Sequence, residues 1–272
     1  MINLMMVYTM SNKIDYEKIK SKAIDGDTIA QKQLGLYLVN TSDNLEEGIK
    51  WLTKAADSDV DAMYILGKIY LLSINNTVES LRWFEKAANK NHINSMINIG
   101  AIYLFGYNVE RDMNKAIQWY KKAAKLESPM AIHNLGFIAF QDENLYDAAL
   151  DFFVRASRLG YADSSYMLGV MYGLGIGVKK NMQKTLEYLT LSFDQGKYYA
   201  ARPIGDFYFQ GAFNNGVQNA NKAIEWYSKG VTKKVVSCIE VMGFLYMNGF
   251  GVDVDMDLDY YYYNLAAKYG ST

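Results

Sequence analysis

Small and apolar residues recur along this chain at steps of three and four, the spacing that places side chains on one face of an α-helix. The segment 95–125 shows the pattern in two halves, the first centred on a glycine and the second on an aromatic pair. The patterned residues are Ser95, Ile99, Gly100, Ile102 and Tyr103, then Ala116, Trp119, Tyr120, Ala123 and Ala124. Asp112, just before the second half, is a residue type that accepts hydrogen bonds from the first N–H groups of a helix. The segment therefore predicts two helices joined by a loop.

The two-helix pattern returns every 32 to 38 residues. Its glycines are Gly35, Gly67, Gly100, Gly136, Gly169, Gly205 and Gly243. The aromatic residues that align with Trp119 are Trp51, Trp83, Phe152, Tyr188, Trp226 and Tyr262. Each aromatic residue follows its glycine by 16 to 21 residues, whereas the next glycine follows the aromatic residue by 16 or 17. Length variation thus falls inside each pair, and a regular stack of seven pairs predicts an α-solenoid.

The repeated glycine and aromatic positions also predict how each pair packs. A glycine inside a helix costs about 1 kcal/mol relative to alanine. Its recurrence at one position therefore predicts that the helices approach closely there. Trp119 is expected to lie in the core, where its truncation to alanine would cost about 3–5 kcal/mol.

The repeated motif reads A-x-x-x-L-G-x-x-Y, an optional G-x-G-V connection, and A-x-x-W-Y-x-K-A-A. The connection occurs as Gly175, Gly177 and Val178 and again as Gly249, Gly251 and Val252. Over about residues 30–270 these motifs resemble the Sel-one-like repeat (SLR), a relative of the tetratricopeptide helical hairpin. We therefore expect an all-α fold, a right-handed α-solenoid of about seven helix-turn-helix repeats with an N-terminal half-repeat. The resemblance also implies the roles found in this family, which are those of adaptors, regulators and, in bacteria, immunity proteins that neutralise a secreted toxin.

A single SLR solenoid domain is expected over 13–272, because the repeats stay in phase and the chain has only two prolines and no low-complexity linker. The repeats are expected at approximately 30–57, 62–89, 95–125, 131–160, 164–196, 200–231 and 237–270. Residues 1–12 are expected to form a flexible lead. The segment from there to about Asp25 places Ala23 where Ala55 and Ala123 fall, which predicts a half-repeat that covers the first pair.

Composition narrows the classes of partner and compartment. A formal net charge of −1 and a pI near 6.2 argue against nucleic acid or an anionic membrane as the main partner. Cys238 is the only cysteine, so no intrachain disulfide can form, and its place in a small-residue slot predicts a buried structural thiol. The N-terminus lacks a basic region and a cleavage site, and its apolar run is too short to span a bilayer. A cytoplasmic protein is the expectation.

No motif predicts catalysis, a metal site or a cofactor. The run D-V-D-M-D-L-D at 253–259 suggests either a calcium loop or a helix cap at Asp255. It lacks the glycine and the terminal glutamate of an EF-hand loop, which favours the cap. G-L-G-I-G-V at 173–178 lacks the preceding strand and third glycine of a nucleotide-binding loop, so it is interpreted as a repeat connection. We expect no enzyme and no cofactor.

The resemblance directs attention to two positions of each first helix, three residues before the glycine (the −3 position) and one residue after it (the +1 position). In tetratricopeptide-type hairpins these positions face a concave groove. The expected partner-binding residues are Tyr64, Ile97, Ala101, His133, Phe137, Tyr166, Val170, Arg202, Asp206 and Glu240. An apolar centre with charges toward the ends is typical of an interaction site. The competing interpretation is that a tightly wound superhelix buries the strip against itself.

A second candidate interface is the tyrosine-rich end of the last repeat, for which no capping helix is expected. Its outward-facing residues are expected among Tyr260, Tyr261, Tyr263 and Tyr269, and they would join two copies as a homodimer. The leading hypothesis is a non-enzymatic scaffold that binds another protein or a peptide in its groove. The alternative is an immunity or inhibitor protein that neutralises a toxin or effector enzyme by direct binding. An enzyme and a self-assembling structural protein are the remaining hypotheses.

Overall fold

A computed structural model describes residues 16–41, 44–213 and 216–270; the expected lead at 1–12 lies outside this part of the chain. The described residues form fifteen α-helices and no strand. Helix α1 (Tyr16–Ile24) stands alone, and the others form seven helix-turn-helix pairs. The pairs are α2 (Thr28–Asn40) with α3 (Leu45–Ala55), α4 (Val60–Leu72) with α5 (Thr77–Ala88), α6 (Ile93–Phe105) with α7 (Met113–Lys125), α8 (Pro129–Ala139) with α9 (Tyr146–Arg158), α10 (Ala162–Leu174) with α11 (Met182–Asp194), α12 (Ala201–Phe209) with α13 (Ala220–Thr232), and α14 (Val236–Asn248) with α15 (Met256–Lys268). The predicted all-α repeat fold is confirmed.

The helices group into two compact units. The first unit, Met1–Leu126, holds α1 and three pairs, and the second unit, Glu127–Thr272, holds four pairs. The expectation of one domain over 13–272 stays a prediction.

Helix α1 serves as the half-repeat that the sequence predicts. Ala23 is 1% exposed and packs with Ala30, Leu34 and Leu38 of α2. The side-chain amide of Gln31 donates a hydrogen bond to the carbonyl of Ala23 at 3.2 Å. The apolar face of α2 is therefore covered by α1 rather than left to solvent.

Within a pair, the repeat glycine of the first helix faces a large side chain of the second. A Cβ atom on Gly100 would lie only 2.6 Å from the ring of Tyr120, and Tyr120 is 1% exposed. The predicted close approach is confirmed, and its cause is a ring that occupies the space a side chain would need. The same place is taken in the other pairs by Leu52, Phe84, Phe153, Leu189, Tyr227 and Tyr263.

The core position is therefore Tyr120, and the prediction that Trp119 fills the core is wrong. Trp119 is half-buried, and the ammonium of Lys122 lies 3.8 Å from the centre of its ring. The same lysine–tryptophan contact recurs between Lys54 and Trp51 at 4.1 Å. Since these positions are neighbours in sequence, spacing alone placed the core one residue too early.

The connections follow the capping rules. The carboxylate of Asp112 accepts a hydrogen bond from the N–H of Lys115 at 2.9 Å, which confirms it as the N-cap of α7. Helix α10 ends at Gly175 in the left-handed conformation, with φ of 75°, so G-L-G-I-G-V is a repeat connection preceded by a helix. Cys238 is fully buried among α12, α13 and α14 residues, and burial raises the pKa of its thiol to about 12, as suits a structural residue.

Candidate protein-binding surfaces

The residues expected to bind a partner all lie on first helices of pairs, but they are divided between the two units. The first unit holds three of them, Tyr64, Ile97 and Ala101. The second unit holds seven, His133, Phe137, Tyr166, Val170, Arg202, Asp206 and Glu240. None of the ten is fully buried, and Phe137 is the most open of them, with 42% of its surface exposed. None of them is among the fully buried core residues, although Tyr166 packs against the core of the second unit.

Side chains at the −3 position of the second unit connect one first helix to the start of the next. The Nδ1 atom of His133 on α8 lies 2.9 Å from the hydroxyl oxygen of Ser164 on α10. The ring of Tyr166 meets the ring of Tyr199 edge to face, with centres 4.8 Å apart, just before α12 begins. These side chains thus contribute to the stack of repeats as well as to its surface.

The first unit uses the −3 position in the same way. The ammonium of Lys32 on α2 lies 2.6 Å from the carboxylate of Asp59, the N-cap residue of α4. The ring of Tyr64 lies 4.7 Å from the ring of His92, which precedes α6. The −3 residue is therefore a link between repeats, a role that sequence spacing could not reveal.

At the +1 position the two units differ in side-chain size and exposure, although only two of the second unit's four +1 residues are exposed. In the second unit Phe137 and Phe244 are 42% and 43% exposed. In the first unit Leu36, Lys68 and Ala101 are half-buried. Large exposed aromatic side chains are enriched at protein interfaces. The +1 position of the second unit is thus the better candidate for contact with a partner.

A polar network closes one end of the second unit's surface. The Nε atom of Arg202 donates to both carboxylate oxygens of Asp206, at 2.8 and 3.0 Å. The hydroxyl of Tyr227 donates to the same carboxylate at 2.7 Å, and Arg202 Nη1 donates to the carbonyl of Ser237 at 2.7 Å. Burial, together with the adjacent carboxylate, raises the pKa of Tyr227, so its hydroxyl stays protonated.

This network borders an open cleft of about 370 Å³ that is lined by residues of α12, α13, α14 and α15. Its charged lining residues are Arg202, Asp206 and Glu240, and its aromatic lining residues include Phe209, Phe244 and Tyr263. Three of the expected groove residues therefore meet in one concavity, together with one tyrosine of the other candidate interface. Phe244 follows Gly243 and so stands at a +1 position, but it is not among the expected partner-binding residues; Phe209 stands at neither the −3 nor the +1 position.

The four tyrosines of the second candidate interface differ in exposure. Tyr260 and Tyr261 are 72% and 55% exposed, whereas Tyr263 lines the cleft and packs against Gly243. Tyr269 is half-buried, with the ammonium of Lys234 5.2 Å from its ring centre. The homodimer through these residues stays a prediction.

Titratable side chains on the surface of the second unit take part in packing and hydrogen bonding. Burial lowers the pKa of His133, which favours the neutral imidazole. Burial and the neighbouring Asp163 raise the pKa of Tyr199 to about 12. Asp163 itself is paired with Lys197. Both shifts favour the neutral form of the side chain, in His133 and in Tyr199, which avoids a buried charge.

Within the described ranges, no three His, Cys, Asp or Glu side chains lie close enough together to hold a metal ion. In the acidic run, the carboxylate of Asp255 accepts hydrogen bonds from the N–H groups of Asp257 and Leu258, both at 3.0 Å. The N-cap interpretation of this run is confirmed. None of the helices that the structure describes has the length and apolar character needed to cross a bilayer.

The helices of this chain form successive pairs whose first helices are partly exposed. This arrangement defines the class of protein, an α-helical repeat protein. The Sel1 repeat family matches at residues 29–60, 60–92, 93–128, 162–197, 199–233 and 239–271. The chain belongs to the Sel1 repeat family. Only α8 and α9 form a pair outside the matched segments, and that pair nevertheless places Phe153 against Gly136 as the others do.

Solved structures support the same fold. A Sel1 repeat protein from Oxalobacter formigenes is similar with a TM-score of 0.67 and 23% identity, over 93% of this chain and 99% of that one. A protective antigen of uropathogenic Escherichia coli that displays an SLR fold is similar with a TM-score of 0.57 and 22% identity, over 95% of this chain and 65% of that one. At these identities the similarity shows the fold alone.

Curated relatives are longer proteins. A sel1-like repeat-containing protein of Acanthamoeba polyphaga mimivirus is 28% identical over 121 residues, which is 44% of this chain and 22% of the relative. Chitin synthase regulatory factor 3 of Schizosaccharomyces pombe is 23% identical over 188 residues, 65% of this chain and 20% of the relative. The chain thus spans about a fifth of the length of these relatives.

Proposed function

We propose that this chain is a non-enzymatic scaffold that binds another protein through the first-helix surface of its second unit. Sel1 repeat proteins are generally protein-interaction scaffolds. The observation that carries the proposal is the exposure of Phe137 and Phe244 at +1 positions, 42% and 43%. The helix pair that carries Phe137 does not need an aromatic side chain at the +1 position, because its core is already filled by residues such as Phe153. A solvent-exposed phenylalanine has an unfavourable hydration that a partner surface removes.

The half-buried −3 residues support this proposal by holding the surface in shape. His133 and Tyr166 each contact the next repeat, so the +1 side chains are presented from a stack with fixed neighbours. A pre-formed surface loses less conformational entropy on binding than a flexible one. The first unit offers a smaller contact of the same kind at Tyr64, Ile97 and Ala101. The partner is a protein or a peptide.

The test is a pull-down from a lysate of the cells that produce the protein, read by mass spectrometry. Phe137→Glu is compared with the wild type and with Leu191→Glu, a matched control on second helix α11 whose side chain is 38% exposed. A partner that is lost with Phe137→Glu and retained with Leu191→Glu is the expected result. Circular dichroism checks that both variants remain helical. Equal capture by all three baits would contradict the proposed surface.

The identity of the captured protein separates a scaffold from an inhibitor. Relatives named as regulators of an enzyme, such as chitin synthase regulatory factor 3, make a regulatory partner worth testing first. If the captured protein is an enzyme, its activity is assayed with added wild type and with Phe137→Glu. Inhibition by the wild type alone would assign the immunity or inhibitor role. Unchanged activity would assign an adaptor role.

A further inference from the structure

We propose that a basic cleft between α5 and α7 of the first unit binds an acidic segment of a partner protein, rich in aspartate or glutamate. This surface is separate from the first-helix surface of the second unit, so it goes beyond the proposed function. Three observations favour it: the lining of the cleft, the lysines that have no anionic partner, and the difference between α7 and the second helices of other repeats.

The cleft combines an apolar floor with a cationic rim. It has a volume of about 350 Å³ and lies where the end of α5 meets α7. Its lining residues are Ala88, Asn89, Asn91, Met96, Trp119, Lys122, Lys125 and Leu126. Met96 is 4% exposed and forms part of the floor, whereas both lysines are exposed. A bound segment can therefore place its apolar groups against the floor and its charged groups at the rim.

The charge of the cleft is positive. Its only charged lining residues are Lys122 and Lys125, so their formal sum is +2. Helix α7 also carries Lys115 and Lys121 and has no acidic residue. Among the residues that the structure describes, Lys115 pairs with Asp112 at 3.4 Å, and the other three lysines of α7 form no ion pair. Such a cluster raises the local positive potential and attracts a segment rich in carboxylates.

The lysine beside the repeat tryptophan is balanced by a carboxylate in the sixth pair and not in the third. On α13 the ammonium of Lys229 lies 4.1 Å from the centre of the tryptophan ring and pairs with the carboxylate of Glu225 at 2.8 Å. On α7 the residue that aligns with Glu225 is Gln118. The ammonium of Lys122 therefore lies 3.8 Å from the centre of the Trp119 ring with no carboxylate to pair with on its own helix.

The other two lysines are additions to the repeat pattern. Glu85 of α5 aligns with Lys121, and Asp194 of α11 aligns with Lys125. Cations near the end of a helix favour its negative pole, which gives lysines at this end of α7 a stabilising role. Acidic residues at the same positions of α5 and α11 nevertheless form helices of similar length, so the fold does not require these lysines. The excess positive charge is thus a property of this surface.

A protein segment fits the cleft better than a nucleic acid does. The ammonium of Lys122 lies over the ring of Trp119, so a nucleobase cannot stack on that face. The formal net charge of the chain is −1, whereas nucleic-acid binding draws on an excess of basic residues. Leu126 is 39% exposed and offers an apolar contact to the methylene groups of aspartate or glutamate.

The direct test is an NMR titration of the full chain with N-acetyl-tetraglutamate amide at low ionic strength. It is followed at the indole N–H of Trp119 and the methyl group of Met96, which both line the cleft. N-acetyl-tetraglutamine amide is the matched uncharged probe. The glutamate probe is expected to shift these signals saturably, and the glutamine probe to bind at least about tenfold more weakly, because it forms no ion pair. The indole N–H of Trp226 should stay unshifted, because the lysine beside it is already paired.

Two variants of α7 separate the cleft from the general charge of the helix. Lys125→Gln is expected to weaken binding of the glutamate probe by about two- to fivefold, the loss of one exposed ion pair. Lys115→Gln is the matched control, because it removes the same charge from α7 and does not line the cleft. It should leave the titration unchanged. Thermal unfolding of both variants is recorded, and lower stability of Lys125→Gln with unchanged probe binding would assign Lys125 to the helix dipole and overturn the proposal.

The probes give further outcomes that would overturn the proposal. Equal binding of the glutamate and glutamine probes would show that charge does not govern the cleft. Equal shifts at Trp119 and Trp226 would show general attraction of anions to lysines. An oligouridylate with as many charges as the glutamate probe that binds more tightly would make the cleft a contact for nucleic acid.

The two proposals fail separately, because the probes report on the first unit alone. Phe137→Glu should bind the glutamate probe as the wild type does. Absence of probe binding would remove the acidic contact and leave the second-unit surface to its own test. A partner retained by Phe137→Glu in the pull-down would reject that surface even if the glutamate probe binds in the cleft.

Discussion

The two units share one packing plan and present different surfaces. Phe84 in the first unit and Phe153 in the second are both fully buried beneath the repeat glycine. At the +1 position, by contrast, the first unit has half-buried Leu36, Lys68 and Ala101, whereas the second unit exposes two of its four residues, Phe137 and Phe244. The repeat therefore constrains the residue that fills the pair and leaves the +1 residue free to vary. Differences in binding are therefore expected at the +1 residue.

The largest expected effect tests whether the cores of the two units are equivalent. Phe84→Ala and Phe153→Ala should each lower the free energy of unfolding by about 3–5 kcal/mol, because each leaves a cavity between paired helices. The measurement is urea unfolding followed by circular dichroism. A cost in one unit of less than half the cost in the other would show that the shared packing plan does not carry equal stability.

A matched control within one helix sharpens the same point. Tyr120→Ala should destabilise the chain at least twice as much as Trp119→Ala, because the tyrosine is 1% exposed and the tryptophan is half-buried. The reverse order would return the core to the position that sequence spacing predicted.

An intermediate effect is expected from alanine at the repeat glycine, with opposite results at Gly100 in the first unit and at Gly243, the last repeat glycine of the second unit. At Gly100 a Cβ would lie 2.6 Å from the buried ring of Tyr120, so Gly100→Ala should cost about 1–3 kcal/mol despite the better helix propensity of alanine. At Gly243 the nearest atom belongs to Tyr263, at 3.2 Å, and that ring is 43% exposed and can shift. Gly243→Ala should therefore be neutral or stabilising by up to about 1 kcal/mol. Thermal unfolding of both variants is the measurement, and equal destabilisation would contradict the proposed difference.

The same positions explain how much of the fold the sequence could predict. Periodicity and the recurring glycine predicted seven pairs and the half-repeat at α1, because helix spacing and close packing leave a mark on residue type. Periodicity could not decide between Trp119 and Tyr120, since adjacent residues of one helix differ by only 100° around its axis. Trp119 lies partly at the surface beneath the ammonium of Lys122, a contact between residues three apart on one helix.

For the candidate site, the helix and the position within it could be predicted, but the state of each side chain could not. The role of Tyr166 as a link to Tyr199 depends on an atom-level contact between repeats. Phe209 was missed because it lies at neither the −3 nor the +1 position and reaches the cleft from the end of α12. The union of Arg202, Asp206 and Glu240 in one cleft likewise depends on how α12 meets α14.

The smallest expected effect is a change in the free energy of unfolding as the pH falls. It is compared between the one histidine of each unit. Burial lowers the pKa of both His92 and His133 below the ordinary histidine value. The unfolded chain then binds more protons than the folded chain just below that value, so stability is present at neutral pH and is lost on acidification through the histidine range. For His92 the carboxylate of Asp61, 3.6 Å from Nε2, offsets part of the burial. For His133 the opposing charges of Asp163 and Lys197 leave burial dominant.

His133→Gln should therefore reduce the loss of unfolding free energy between about pH 7.5 and pH 5 by more than His92→Gln does. Glutamine does not titrate, and it can keep a hydrogen bond to Ser164 in place of the one that His133 makes at 2.9 Å. At His92 the comparison has a second consequence, because Nδ1 accepts the N–H of Ser95 at 3.2 Å as the cap of α6. Protonation of that nitrogen removes the cap, so α6 should lose hydrogen-exchange protection at its first turn before α8 does. A pH profile that neither variant alters would assign the acid sensitivity to carboxylates instead.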